Sequence, residues 1–204
     1  MEGVFMSSTF DYEKAVELVR SALVEAGSTF REDKKHAYER AIKHEKNEKA
    51  RWVLETILEN AEAAERNHSP LCDDTGIPHL VLEVGPDVFV TGRMLDAIRD
   101  GIASGLRELP GRPMGIMGDD NRRVDQSGGL DPDPAGVEPA PILLRTCGDN
   151  VVRLHIMMFG GGPAIRAKTY RVFHKHNTQV VIDEIVKWAT EGIAQLGCSP
   201  CTLA

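Results

Sequence analysis

The chain has 204 residues, with 24 Lys+Arg against 31 Asp+Glu and a formal net charge of −7. That sign argues against a nucleic-acid partner, whose affinity comes largely from cations neutralising phosphates. A hydrophobic share of 42% suits a packed globular chain rather than a disordered one. No run approaches the ~18 apolar residues of a membrane span. The N-terminus shows no basic segment followed by an apolar stretch, so a soluble, cytoplasmic protein is expected.

The expected architecture is α+β in a single domain over residues 1–204. A helical subregion covers 1–68; an α/β subregion over 69–204 adds a small sheet, a long loop and a C-terminal helix. Ala15, Val16, Leu18, Val19, Ala22 and Leu23 fall at helical spacing from Asp11 onward, with Gly27 as the stop. A polar helix over Glu32 to Lys46 follows, read as a solvated face laced with i,i+4 charge pairs. A third, Lys49 to Arg66, turns Trp52, Val53, Ile57, Leu58, Ala61 and Ala64 inward.

Past Pro70 the pattern changes. His79–Val84 and Val88–Val90 read as strands around Gly85-Pro86-Asp87, and Met94–Leu106 as a helix. Residues 110–141 are rich in Gly, Pro and Asp and read as a long loop. Pro141–Thr146 and Val151–Phe159 suggest a hairpin around Gly148-Asp149-Asn150, with Val152, Leu154, Ile156 and Met158 on one face. A last helix starts with Thr178 as N-cap, places Val181, Ile185, Trp188 and Ile193 inward, and stops near Gly197.

The four cysteines, Cys72, Cys147, Cys198 and Cys201, are too few for a disulfide scaffold and read as buried thiols, metal ligands or catalytic groups. Three clusters could carry chemistry. Cys72-Asp73-Asp74-Thr75-Gly76 gathers a thiol, two carboxylates and a hydroxyl at a helix-to-strand junction; an Asx turn with Cys72 as a small filler fits the same residues. Cys198-Ser199-Pro200-Cys201 follows a helix, so it gains nothing from an N-terminal dipole; metal binding and a plain terminus both fit. Structural zinc is disfavoured because no second ligand pair is present. Gly160-Gly161-Gly162 after a strand permits close backbone approach to an anion, or simply a flexible turn, and matches no nucleotide-phosphate motif. Arg166, Lys168, Arg171, His174, Lys175 and His176 form a basic segment read mainly as a solvated face. Cys147, in a turn, reads as structural.

Taken together, the helix ending in Ile57-Leu-Glu-Asn-Ala-Glu-Ala-Ala-Glu65, then Pro70-Leu-Cys72-Asp-Asp74-Thr-Gly76, the glycine triplet and Cys198-Ser-Pro200 resemble the iron–sulfur hydro-lyases, class I fumarase and the alpha subunit of L(+)-tartrate dehydratase. The resemblance covers roughly residues 35–204. It implies a 4Fe–4S cluster with one open iron that acts as Lewis acid on the substrate. It assigns Cys72 and Cys198 as cluster ligands and Asp74 as the acid/base. Asp73, Arg112, Gly161 and Gly162 become substrate-binding residues. It further implies a small dicarboxylate substrate (fumarate/malate first, tartrate second), a beta subunit or C-terminal domain as partner, and a homo-oligomer. An iron–sulfur or redox-binding module without hydro-lyase activity, or a non-catalytic subunit, is the alternative. The chain departs from the family pattern in three ways. Asp73 stands at a Gln position, Phe159-Gly-Gly-Gly-Pro-Ala-Ile165 replaces Lys-Gly-Gly-Gly-Ser-Glu-Asn, and the third cysteine ligand is expected beyond residue 204, where the family's alpha region continues.

Overall fold

The computed structural model describes residues 10–72, 74–109, 111, 115–160 and 169–195. It is mixed α/β, as expected. The elements are α1 (Tyr12–Ser28), α2 (Glu32–His44), α3 (Glu48–Asn67), β1 (Thr75–Val84), α4 (Gly92–Glu108), α5 (Asp120–Asp125), β2 (Leu143–Thr146), β3 (Val152–Gly160) and α6 (Thr178–Ala194). They fall into two units, Met1–Thr29 with Ala61–Gly160, and Phe30–Asn60 with Gly161–Ala204.

The first unit holds the core. β1 is the middle strand of a three-stranded sheet ordered β2-β1-β3, parallel to β2 and antiparallel to β3. Strand alternation sends Pro78, Leu80 and Leu82 to one face, where Leu80 and Leu82 pack with Val19 and Leu23 of α1 and Ile98, Ile102 and Leu106 of α4. Burying each such side chain stabilises the fold by roughly 1.5–3 kcal/mol. Val152, Leu154, Ile156 and Met158 of β3 close the same core, as their alternation indicates. Two helices lie on one sheet face because α1 and α4 are each apolar along a single stripe. Asp11 caps α1 by accepting from the Lys14 backbone N–H, and Thr91 caps α4 by accepting from that of Met94.

Several sequence expectations are corrected here. Val88–Val90 is not a strand, and Phe89 is 84% exposed. Both edges of β1 are already taken by strands from later in the chain, and Val88–Val90 leads into the cap of α4. The expected hairpin between Pro141–Thr146 and Val151–Phe159 is not formed either, because β1 lies between its two arms. Residues 147–151 instead pass around the end of β1. The Cys147 N–H donates to the Val84 carbonyl at 3.1 Å and the Gly85 N–H to that of Val151 at 2.9 Å. Gly85 is required there, since a Cβ would lie 2.2 Å from the Asp149 carbonyl oxygen.

The long segment after α4 carries structure of its own. It includes α5, a bridge between Ile116 and Leu130 and a 3-10 turn at Pro134–Gly136. Arg107 of α4 anchors it, with Nη2 2.7 Å from Asp133 Oδ2. In α1, Leu18 is 61% exposed rather than inward, and Gly27 lies within the helix rather than ending it.

On the other face of the sheet, Arg153 Nη1 lies 2.8 Å and His155 Nε2 3.3 Å from Glu83 Oε2. The Arg153 hydrogen bond, then that of His155, holds the Glu83 carboxyl below its ordinary range. A carboxylate depressed in the folded state contributes stability above its unfolded pKa, ~4.3, and loses it as pH falls through the folded value. The urea midpoint of Glu83→Gln is therefore expected below that of the wild type at pH 7, with the gap closing as pH falls through the lowered folded-state value. A gap independent of pH would show that the ion pair carries no stability.

In the second unit Phe30 and Tyr38 pack their rings with centroids 5.3 Å apart, and Tyr38 is buried. Two inward faces expected from sequence are not buried there. Trp52 and Val53 of α3 are 63% and 43% exposed, whereas Ala61 and Ala64, in the first unit, are buried. α6 buries none of its described residues, Ile185 included. Its N-cap is Asn177, whose side chain accepts from the Gln179 N–H; Thr178 is the first helical residue. Gly197 lies outside the described residues.

Candidate functional site

The candidate site forms where α3 gives way to β1. α3 ends with His68 in the left-handed region (φ 49°) and the Ser69 N–H donating to the Ala64 carbonyl at 3.0 Å, a helix-closing bond of the Schellman type. The Leu71 N–H then donates to the Gly27 carbonyl at 3.0 Å, tying the segment to the last turn of α1. Cys72 follows as an exposed thiol outside any disulfide. Asp74 is half-buried, and its Oδ1 atom is shielded from solvent. The junction predicted from sequence is thus the one observed.

The β1–β3 register adds a second feature. Thr75 pairs with Gly160, and an irregularity between Thr75 and Ile77 places the buried Gly76 opposite no partner of its own. The backbone bearing Asp74 therefore runs beside the first residue of the glycine triplet. Nearby, the rings of His79 and Phe159 lie 4.4 Å apart, tilted by 50°. Sequence reasoning gave His79 no role. Its signal was its position two residues from Ile77, on the face of β1 that meets Phe159 across the register.

Asp73, Arg112, Gly161, Gly162, Cys198 and Cys201 lie outside the described residues, as do Arg166 and Lys168. Of the expected set, Cys72 and Asp74 are described, and Asp74 lies one residue before Thr75, which pairs with Gly160 at the end of β3. Among the described residues no three His, Cys, Asp or Glu side chains converge on a metal-sized point. The soft, solvent-reached thiol of Cys72 is the right donor type for iron–sulfur ligation. Cys147 is a structural residue of the 147–151 connection, with Sγ 3.3 Å from the Asp149 carbonyl oxygen. His174 and His176 meet edge-to-face at 5.0 Å, with His174 Nδ1 accepting from the His176 N–H, and both are exposed. Arg171 and Lys175 are exposed beside them. No helix among the described residues is long and apolar enough to cross a membrane.

This junction of helix, cysteine-carboxylate turn and central strand lies within a recognised sequence family. The family described as Fumarate hydratase (Fumerase) matches residues 16–204, and the chain belongs to it. It is also 36% identical over 100 residues to a protein of Methanocaldococcus jannaschii named as an L(+)-tartrate dehydratase subunit alpha. That match takes in 48% of this chain and 34% of the relative, so it spans about a third of the relative's length.

Proposed function

We propose that this chain is the alpha part of an iron–sulfur hydro-lyase that reversibly adds water across a small dicarboxylate, fumarate to malate in the first instance. The observation that carries this reading is the family match over residues 16–204, which takes in Cys72, Asp74, the glycine run and Cys198. Cys72 and Cys198 would hold a 4Fe–4S cluster, with a third ligand from outside these residues. When bound, such a cluster supplies a Lewis acid for the departing or arriving hydroxyl.

The remaining steps belong to side chains of the site. Hydration delivers a proton to one carbon and hydroxide to its neighbour, so an acid/base is needed beside the substrate. Asp74 takes that role, because a carboxylate oxygen kept from bulk water exchanges its proton with the substrate rather than with solvent. Arg112 would grip one substrate carboxylate through its fork of donors. The backbone of Gly161 and Gly162 would receive the other. Asp73 adds a negative charge where a dianion must sit, which favours a substrate offering a hydroxyl at that point. Tartrate does so, and the name of the M. jannaschii relative makes L(+)-tartrate the second candidate.

A dianion beside two carboxylates, in a chain of net charge −7, needs cations from elsewhere. A beta subunit is the proposed source, in a cytoplasmic assembly. The decisive experiment produces the chain with a beta-type subunit, reconstitutes iron and sulfide anaerobically, and follows fumarate and tartrate in parallel. Turnover of either supports the reading and selects the substrate. Bound iron without turnover of either leaves an iron–sulfur binding module in its place.

A further inference from the structure

The end of the sheet next to Asp74 is more weakly held by its backbone than the other end. β2 pairs only with residues 81–84, so β3 is the sole strand partner of residues 75–80 among the described residues. On that one remaining side Thr75 meets Gly160 and Ile77 meets Phe159, but the irregularity between them leaves Gly76 without a partner of its own. Pro78, next along β1, has no N–H to give to a ladder, although its carbonyl accepts from the Ala140 N–H at 3.0 Å. A strand end with one edge open, one bulge and one proline opens more readily than the middle of its sheet.

Side chains supply part of what the ladder lacks. With Leu80 and Leu82 turned toward α1 and α4, alternation sends Ile77 and His79 to the opposite face, together with Met157 and Phe159 of β3. His79 stands diagonally across from Phe159, the separation at which aromatic side chains of neighbouring strands reach each other. Their rings lie 4.4 Å apart and tilted by 50°, and both residues are half-buried. Phe159 directly precedes Gly160, which has no side chain with which to hold Thr75 in place.

We infer that His79 is a positioning residue for Asp74. Its ring seats Phe159, Phe159 fixes Gly160 against Thr75, and that pairing sets where the backbone of Asp74 stands. The inference rests on the acid/base role proposed for Asp74 above; His79 acts through Phe159 and moves no proton itself. The test removes the ring and then restores it, with His79→Ala and His79→Phe in the chain assembled with a beta-type subunit and reconstituted with iron and sulfide. Hydrogen–deuterium exchange is followed on each assembly alongside fumarate and tartrate turnover. Loss of an aromatic pair should raise the opening equilibrium of the adjoining strand end ~2–10-fold. In His79→Ala, exchange at Ile77, Phe159 and Gly160 should quicken by that factor, while Leu82 and Leu154 keep wild-type rates. Iron content should be unchanged. KM should hold while kcat falls on the order of tenfold, within the ~10² that misplacing a reacting group by 1 Å can cost. His79→Phe keeps a ring in the same place and should return exchange and kcat toward wild type.

Unchanged exchange at Ile77, Phe159 and Gly160 in His79→Ala overturns the anchoring, whatever the turnover. Faster exchange there with wild-type kcat marks a purely structural contact and overturns the positioning role. Acceleration spread equally to Leu82 and Leu154, or a His79→Phe chain no better than His79→Ala, overturns it as well. A wild-type assembly that turns over neither substrate fails at the acid/base reading itself, which separates that failure from a failure of His79.

Discussion

An Asp74→Asn chain, assembled with its partner, is expected to bind iron as the wild type does and to turn over substrate ~10²–10⁴-fold more slowly. The amide preserves the shape of a half-buried side chain whose Oδ1 is shielded from solvent, so the connection from α3 to β1 stays folded while the exchangeable proton is lost. Cys72→Ser separates the other role. Serine is nearly isosteric with cysteine at an exposed position, so folding is undisturbed, but a hydroxyl is a poor replacement for a thiolate on iron. Iron content and visible absorbance should both fall to background. Retention of iron in Cys72→Ser would remove Cys72 from the ligand set, and full activity in Asp74→Asn would remove Asp74 from proton transfer.

The second large effect lies in the helix pair over the sheet. Gly101 of α4 faces α1 so closely that a Cβ would stand 2.6 Å from Val19 Cβ and 2.7 Å from the Val16 carbonyl oxygen. One turn on, a Cβ at Gly105 would lie 3.1 Å from the Arg20 carbonyl oxygen and from Leu23 Cβ. Helix propensity alone favours Gly→Ala by ~1 kcal/mol. At residue 101 the opposing contact involves backbone and a β-branched side chain, neither of which can turn aside. Gly101→Ala is therefore expected to destabilise the fold by ~1–3 kcal/mol, read as a lower urea midpoint. Gly92, with nothing within 4 Å of its Cβ position, is the control: alanine there should leave the midpoint unchanged or raise it. A stabilising Gly101→Ala would mean that α1 can retreat at little cost.

These two sites differ in how legible they were in the sequence. The Cys72–Gly76 junction could be read directly, because helical periodicity stops near Asn67 and strand alternation begins a few residues later. The neighbour of that junction could not. Thr75 meets Gly160 through a strand register, and register depends on partners far along the chain rather than on local spacing. The same gap produced the expected hairpin of β2 with β3: turn residues at 148–150 announce a reversal but not that a third strand occupies the space between. The close approach at Gly101 was likewise invisible, since a glycine inside a helical pattern reads as a weakness until its neighbour is known.

The apolar stripes of α3 and α6 teach a related point. Amphipathic spacing correctly marked both helices, yet Trp52, Val53 and Ile185 are exposed. Periodicity states that a face favours cover; it does not say which surface provides it. Reading those residues as inward assumed that the cover comes from the described part of this chain. The charge-rich α2 was easier, because a mostly polar helix has little to bury beyond Tyr38.

The position of β1 between two later strands has a consequence for how the protein is made. At ribosomal speeds of ~5–20 residues per second, the middle strand emerges on the order of ten seconds before the chain that will pair with both of its edges. During that interval α1 and α4 can cover the Leu80 and Leu82 face, because helices form locally and quickly, but the backbone edges of residues 75–84 have no native partner. An unpaired, apolar central strand is the kind of segment that recruits a strand from a neighbouring chain. Yield of folded protein should thus depend strongly on how promptly residues 143–160 follow, and translational pausing between Glu108 and Leu143 would cost more than pausing anywhere after Gly160.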